Sequence, residues 1–184
     1  MEETLESMMT AYAAGDPLAF ERLFGRTRGG IYSFFLRSMR DPRAAEDLMQ
    51  TTFLKLHAAR ASYDPSLPLL PWLFAIANRV RLDEFRRRHR LPLQAGEEAL
   101  EQLEVHDDPA ERIQLAQQIR STDAALDALP ETQRVVLQLR HVEGMTFAQI
   151  AQVLGVPEGA LRVRATRGYE KLRTLLRDGG SDAG

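Results

Sequence analysis

The sequence predicts an all-α protein made of two small helical domains joined by an acidic linker, the C-terminal one a helix-turn-helix. Apolar residues recur at three- and four-residue spacing, as on one face of a helix, and no alternating strand pattern runs for long. The pairs Asp16-Pro17 and Asp41-Pro42 each place a capping residue before a proline, which is typical of a helix start. An acidic stretch between residues 94 and 111 separates the two helical parts.

The first predicted domain spans residues 1–91 and contains four helices. Gly15 ends the first helix, and the two Asp-Pro pairs start the second and the third. The predicted helices lie around residues 4–14, from Pro17 onward, from Pro42 to about Ala61, and from Leu69 into a run of arginines, with a loop at 62–68 before the last.

The second predicted domain spans residues 110–178 and is also helical. A break at Leu129-Pro130 and a turn at Glu143-Gly144 divide its apolar periodicity. Its predicted helices lie around 110–127, 131–142, 146–154 and 158–177. Residues 92–109 form the predicted acidic linker, and the tail at 179–184, rich in Gly, Ser and Asp, is predicted to be disordered.

Residues 146–177 have the spacing of a helix-turn-helix. Thr146 caps a short helix with Phe147, Ile150, Ala151 and Leu154 on its inner face, and Gly155 stands where the turn needs a positive φ. The inner face of the next helix is formed by Leu161, Ala165, Leu172 and Leu176. In this motif the second helix enters the major groove of DNA. Its predicted outer face carries Arg162, Val163, Arg164, Thr166, Arg167 and Lys171. An ordinary helical hairpin with a basic face is the alternative interpretation.

Charge is spread very unevenly along the chain, although the net charge is only −2. Residues 79–90 hold six arginines against two acids, 94–111 hold seven acids and no lysine or arginine, and 162–177 hold six bases against one acid. Screening limits charge interactions to roughly 8 Å at physiological salt, so each segment acts through its local charge. The two basic segments together favour nucleic acid as a partner, whereas either one alone could be a solvated helix face.

Composition argues against several classes of protein. The chain has no cysteine, which excludes disulfides, thiol catalysis and cysteine-built zinc sites. The longest uncharged apolar stretch, residues 67–77, contains two prolines and is too short to span a bilayer. The first residues are acidic, unlike the basic start of a secretion signal. We therefore predict a cytoplasmic protein without membrane insertion.

The sequence also lacks the patterns of an enzyme. The four histidines, at 57, 89, 106 and 141, show no HExxH spacing, and the chain has neither a nucleophile elbow nor a glycine-rich phosphate loop. We predict that the protein is not an enzyme and has no catalytic residues, no metal site and no cofactor.

Motifs in both halves, in matching order and at a domain-sized spacing, resemble one family. In the first half they are Asp16-Pro17-x-x-Phe20-Glu21-x-Leu23, AEDLMQTTFL at 45–54, and PWLFAIA at 71–77 followed by Asp83 and the arginines. In the second half they are Leu129-Pro130-x-x-x-Arg134-x-Val136 and GMTxxQIAxxLGVxxG at 144–159. Over about residues 10–177 the chain resembles the extracytoplasmic-function (ECF) sigma factors of bacterial RNA polymerase.

The resemblance implies a protein that binds core RNA polymerase and directs transcription initiation at specific promoter DNA. The first domain (sigma region 2) would bind the polymerase and recognise and melt the −10 element, and the second (sigma region 4) would recognise the −35 element. An anti-sigma factor is a further expected partner. The implied polymerase-binding residues are Glu46, Asp47, Gln50 and Phe53; the −10 residues are Tyr63, Asn78, Arg79, Asp83, Arg86, Arg87 and Arg88; the −35 residues are Arg162, Val163, Arg164, Thr166, Arg167 and Lys171.

The chain departs from the family pattern where promoter choice is decided. The family's common Arg-Asn after Ile-Ala is inverted here to Asn78-Arg79, so an arginine is expected to face the −10 base. Thr51 replaces an acid of the polymerase-binding segment, and Pro157 and Val163 replace common residues of the recognition helix. The promoter sequence therefore does not follow from that of relatives.

Two alternatives stay open from the sequence. Trp72 lies four residues before Ile76 and is expected to pack in the core, with a base-stacking role as the alternative. A conventional helix-turn-helix regulator would bind duplex DNA by itself, usually as a symmetric dimer, whereas a sigma factor would bind specifically only with core polymerase.

Overall fold

The computed structural model describes residues 3–89 and 126–179, with side chains described through Arg88 in the first part and Leu175 in the second. The chain divides into two compact units, residues 1–93 and 94–184. Across the described ranges all regular structure is helical, which confirms the all-α prediction. The predicted linker at 92–109, most of the helix at 110–127, and the tail from residue 180 lie outside the described residues.

Side-chain caps and a residue with positive φ determine where the helices of the first unit begin and end. Thr4 accepts a hydrogen bond from the Ser7 N–H, and Asp16 and Asp41 accept bonds from the first residues of the next two helices, so both Asp-Pro starts are confirmed. Arg40, in the left-handed region with φ 54°, ends the second helix. The helices are α1 (Leu5–Ala13), α2 (Pro17–Met39), α3 (Pro42–Ala59), a 3₁₀ turn (Arg60–Ser62) and α4 (Leu69–His89).

The core of the first unit lies where α2 packs against α1, α3 and α4. Phe34, Phe35 and Phe74 are almost fully buried, and the rings of Phe34 and Phe74 meet edge to face with centroids 5.6 Å apart. The buried hydroxyl of Thr52 donates to the Leu48 carbonyl at 2.8 Å, so this polar group is not left unpaired in the core. Leu48, Thr52 and Leu56, four residues apart, form the buried stripe of α3.

The second unit contains α5 (Glu131–Leu137), a π turn (Gln138–Val142), α6 (Phe147–Leu154) and α7 (Glu158–Gly179). The single helix predicted at 131–142 is thus an α-helix that changes to a π turn in its second half. Thr146 and Gln149 form a reciprocal capping box at the start of α6, and Gly155 has φ 67° at its end. Both features confirm the predicted helix-turn-helix boundaries.

The inner face of α6 differs from the prediction. The spacing places Phe147, Ile150, Ala151 and Leu154 on one face, but only Ile150 among them is fully buried. Val153, which is not among the predicted residues, is also buried. On α7, burial of Leu161, Ala165 and Leu172 is confirmed, and the side chain of Leu176 lies outside the described ones.

A close helix crossing joins α7 to α5 at Gly168. A Cβ atom added there would lie 2.9 Å from Cδ1 of Leu137, which is itself fully buried. A larger residue here would force the Leu137 side chain to shift, so this position is restricted by space rather than by backbone angle. No helix in the described ranges is long and apolar enough to cross a membrane.

Candidate nucleic-acid interface

An acidic patch lies on the outer face of α3. Glu46, Asp47 and Gln50 are exposed, and the Gln50 amide donates to the Glu46 carboxylate at 3.2 Å. The buried stripe of α3 lies on the opposite side of the same helix. Three of the four residues predicted to bind polymerase therefore share one accessible surface.

Phe53, the fourth of these residues, is on the inside. It is only 5% exposed, and its ring lies 4.7 Å from that of Phe24 and 6.3 Å from that of Phe20, in edge-to-face contacts. Its side chain holds α3 against α2. A contribution of Phe53 to polymerase binding would therefore act through the position of the acidic patch.

The loop at 62–68, between the 3₁₀ turn and α4, is held by its own hydrogen bonds. The Tyr63 hydroxyl donates to the Leu67 carbonyl at 2.6 Å, and Asp64 accepts from both the N–H and the hydroxyl of Ser66. These bonds from Ser66 lower the pKa of Asp64. Burial raises the pKa of Tyr63, helped by the nearby carboxylates of Glu6 and Asp64. The shape of the loop is thus set by hydrogen bonds among its own residues.

The first turn of α4 is capped from a distant part of the chain. The Leu69 N–H donates to the Glu6 carboxylate at 3.0 Å, so α1 supplies the cap of α4. Beside this turn the half-buried ring of Trp72 packs on Tyr63, with centroids 5.2 Å apart. Tyr63 itself is 8% exposed, so the buried face of the Trp72 ring packs on a buried tyrosine.

Asn78 and Arg79 differ in exposure. Asn78 is 3% exposed, and its side-chain oxygen accepts from Nε of Arg81 at 3.1 Å and from Nη2 at 2.8 Å. Arg79 is exposed. The inverted Asn-Arg order thus presents the arginine outward and keeps the amide oxygen inside the unit.

The arginines near the end of α4 are organised by two acids. Asp83 is exposed and lies 3.6 Å from Nζ of Lys55 and 3.3 Å from Nη1 of Arg86. Glu84 is buried and accepts two bonds from Arg87, at 2.7 and 2.8 Å, and one from Arg88 at 2.6 Å. These bonds, led by those of Arg87, outweigh burial and lower the pKa of Glu84 to about 2.

Glu84 organises these arginines but is not among the site residues predicted from the sequence. Its spacing of three and four residues to Arg87 and Arg88 is nevertheless a sequence signal for ion pairs on a helix. The arginine run is therefore a partly neutralised, ordered surface rather than a row of separate cations.

The second basic surface is the outer face of α7. Arg162 and Lys171 are exposed, Val163, Arg164, Thr166 and Arg167 are partly exposed, and the buried Leu161 and Ala165 lie on the other side. The six predicted −35 residues thus occupy the accessible part of the second helix of the helix-turn-helix. Their charge and planar guanidinium groups suit the phosphates and base edges of a DNA groove.

Arg162 has two neighbours that the sequence analysis did not identify. Its Nη2 donates to the Glu158 carboxylate one turn earlier, and its guanidinium carbon lies 4.9 Å from the centroid of the Phe147 ring. Phe147 is only partly buried. The i, i+4 spacing of Glu158 and Arg162 could have indicated the ion pair, whereas the ring contact depends on the helix crossing.

Comparison with known proteins gives consistent matches over both units. The family model for sigma-70 region 2 matches residues 23–91, and that for sigma-70 region 4 matches residues 119–172. The chain is 36% identical to the RNA polymerase sigma factor CarQ of Myxococcus xanthus, over 91% of this chain and 95% of CarQ. It is 28% identical to the ECF RNA polymerase sigma factor SigK of Mycolicibacterium vanbaalenii, over 94% of this chain and 89% of SigK.

A solved structure has a similar fold. The structure of CnrH in complex with the cytosolic domain of CnrY matches with a TM-score of 0.64 and 26% identity, covering 94% of this chain and 97% of CnrH. The likeness therefore extends over both units rather than over the helix-turn-helix alone.

Proposed function

The chain belongs to the ECF sigma factors, within the sigma-70 family of RNA polymerase sigma factors, and we propose that its two units divide promoter recognition between them. As a member of this family it binds core RNA polymerase and promoter DNA and directs promoter-specific transcription initiation. Sigma factors are generally non-catalytic regulators of initiation. We assign polymerase binding and the −10 element to residues 1–91, and the −35 element to residues 110–178.

The outer face of α7 is the observation that carries this proposal. Arg162 and Arg167 lie on the accessible side of the second helix of a helix-turn-helix, opposite the buried Leu161 and Ala165. In such motifs the second helix contacts base edges in the major groove. We assign base recognition in the −35 element to Arg162, Val163, Thr166 and Arg167, with Arg164 and Lys171 at the sides of the same face.

For the −10 element we propose that Arg79 faces the DNA and that the arginines at 86–88 hold phosphates. The exposure of Arg79 and the ordered arrangement of Arg87 and Arg88 around Glu84 support this assignment. Phosphate contacts position a protein on DNA without reading its sequence. Tyr63 and Asn78 are buried, so we assign them to the shape of the −10 site rather than to direct contact.

We propose that Glu46, Asp47 and Gln50 contact a basic surface of the polymerase. Their common exposure and negative charge support this role, and complementary charge speeds and orients association. Phe53 contributes by holding α3 in place.

Two further assignments complete the proposal. We infer that an anti-sigma factor binds the protein and that the protein acts in the cytoplasm, where core polymerase is found. The CnrH structure contains a similar chain bound to another protein, the cytosolic domain of CnrY, which supports a protein partner of this kind.

In vitro transcription with purified core polymerase over a genomic promoter library tests the proposal. We expect specific initiation only when both protein and core enzyme are present, with conserved −10 and −35 sequences among the selected promoters. Specific duplex binding by the protein alone, with no initiation after core enzyme is added, would overturn it.

A further inference from the structure

One aromatic ring in the second unit contacts two arginines from different elements. The centroid of the Phe147 ring lies 4.9 Å from the guanidinium carbon of Arg162 and 5.4 Å from that of Arg140. Both distances lie within the range over which a guanidinium group is attracted to an aromatic face. Since Arg140 belongs to the π turn and Arg162 to α7, this ring of α6 links three consecutive elements.

The backbone that carries this ring is held by hydrogen bonds. Thr146, the residue before it, donates its N–H to the Gln149 side chain at 2.8 Å, and its hydroxyl accepts the Gln149 N–H at 3.2 Å. Arg140, which contacts the ring, also donates to the Met145 carbonyl at 2.8 Å. The backbone that carries Phe147 is thereby held on both sides, so the ring can act as a firm support.

Arg162 needs such a support because its side chain is largely exposed. Its side chain is 61% exposed, and an exposed arginine otherwise samples many rotamers. The ion pair with Glu158 and the contact with Phe147 restrict it from two directions. The ion pair also offsets part of its charge, which weakens its attraction to phosphates in general.

We propose that Phe147 is a positioning residue for promoter selection, which orients the guanidinium group of Arg162 toward the −35 element without reading a base itself. The proposal rests on the assignment of Arg162 to the −35 element. A guanidinium group recognises guanine through two parallel hydrogen bonds and therefore needs a defined plane. A support that fixes this plane favours one base pair over the others.

The test uses the full chain in complex with core polymerase and a promoter library whose −35 element is randomised. R162A identifies the base position that depends on Arg162. F147Y keeps the aromatic face and should keep the wild-type base preference. F147L keeps an apolar side chain but removes the face, and we expect it to lower the preference at that position roughly fivefold, which corresponds to about 1 kcal/mol.

A double variant separates positioning from a general structural effect. In the R162A background, F147L should cause no further loss of base preference, because the group that the ring orients is gone. Unchanged preference in F147L, or an equal loss with and without Arg162, would overturn the positioning role. If R162A leaves the −35 preference unchanged, the assignment of Arg162 to the −35 element is wrong, and so is the positioning role of Phe147. Promoter-specific initiation by the wild type tests the sigma function separately.

Thermal unfolding of each variant shows whether it folds. If F147L does not fold, nuclear magnetic resonance of the wild-type chain still tests the contact between Phe147 and Arg162. The ring should shift the resonance of the Arg162 Nε proton upfield, and F147Y should preserve this shift. A random-coil position for that proton in the wild type would contradict the proposal.

Discussion

Glu84 and Arg87 form a two-bond ion pair on α4, with Nε donating to one carboxylate oxygen at 2.7 Å and Nη2 donating to the other at 2.8 Å. The carboxylate is 8% exposed, whereas the Arg87 side chain is 77% exposed. A buried carboxylate thus fixes the guanidinium group of an exposed arginine. Loss of this pair would therefore affect both the stability of the first unit and the order of its basic surface.

Replacing Glu84 by glutamine should therefore destabilise the protein in a pH-dependent way. The pKa of Glu84 is lowered from 4.5 to about 2, so its charged form stabilises the fold above about pH 4.5 and this effect is lost as the pH falls toward 2. We expect E84Q to lower the free energy of unfolding by about 1–3 kcal/mol at pH 7. Near pH 2 it should differ little from the wild type. Urea unfolding at several pH values measures this, with E21Q at an exposed position as the control. An equal loss at pH 7 and pH 2 would contradict the ion-pair explanation.

Removing one arginine from the α7 face should change promoter choice but leave polymerase binding intact. We expect R162A or R167A to lose base preference at the −35 element by roughly 5- to 150-fold, since one bidentate contact discriminates by about 1–3 kcal/mol. Affinity for core polymerase, measured by fluorescence anisotropy, should stay at the wild-type value. A loss of polymerase affinity in either variant would contradict the proposed division between the units.

The acidic patch on α3 should show the opposite behaviour. D47N removes one exposed charge while keeping the shape of the side chain. We expect it to weaken core polymerase binding by about fivefold or more, through loss of about 1 kcal/mol of charge complementarity. E21Q, on α2, serves as the matched control and should bind normally. Equal binding by wild type and D47N would remove Asp47 from the interface.

Loss of a phosphate contact should appear in the salt dependence of promoter binding. R86A should reduce the slope of log Kd against log salt by about 0.7–0.9, the contribution of one phosphate contact. The base preference at the −10 element should not change, because phosphates carry no sequence information. R43A, at an exposed position at the start of α3, is the control. An unchanged slope for R86A would rule out the phosphate role of Arg86.

Gly168 gives a test of the α5–α7 crossing. G168A places a Cβ 2.9 Å from Leu137, whereas G159A on the same helix places one in open space. Alanine gains at least as much helix propensity at the interior position 168 as in the first turn at 159, so a lower stability of G168A would reflect overpacking. We expect G168A to be less stable than G159A by about 1–3 kcal/mol in thermal or urea unfolding. Equal stabilities would mean that α5 and α7 can separate at no cost.

The sequence predicts most of this fold because its signals are local. Asp16 and Asp41 cap the helices that follow them, Gly155 takes the positive φ of the turn, and the buried stripes of α3 and α7 follow helical spacing. Where the prediction fails, the cause is packing between elements. Val153 is buried by the packing of α6 against the neighbouring elements. Residues 138–142, which were predicted to continue an α-helix, form a π turn instead.

The candidate site divides in the same way. Exposure of Arg79, Arg86 and the α7 face could be predicted from spacing along a single helix. The contact of Phe147 with Arg162 and the cap of Glu6 on Leu69 join residues 15 and 63 positions apart, and no sequence pattern specifies such pairs. The buried position of Phe53 likewise depends on two aromatic neighbours from α2.

The cap that Glu6 places on α4 limits how freely this protein can be recombined with its relatives. The segment that matches the region 2 model starts at residue 23, after α1 has ended. A chimera joined at that boundary would take α4 from this protein and α1 from the relative, so the Leu69 N–H would keep its cap only where the relative also places an acceptor at the position of Glu6. An exchange of the first unit should therefore transfer α1 together with α4, so that Glu6 and Leu69 come from the same protein.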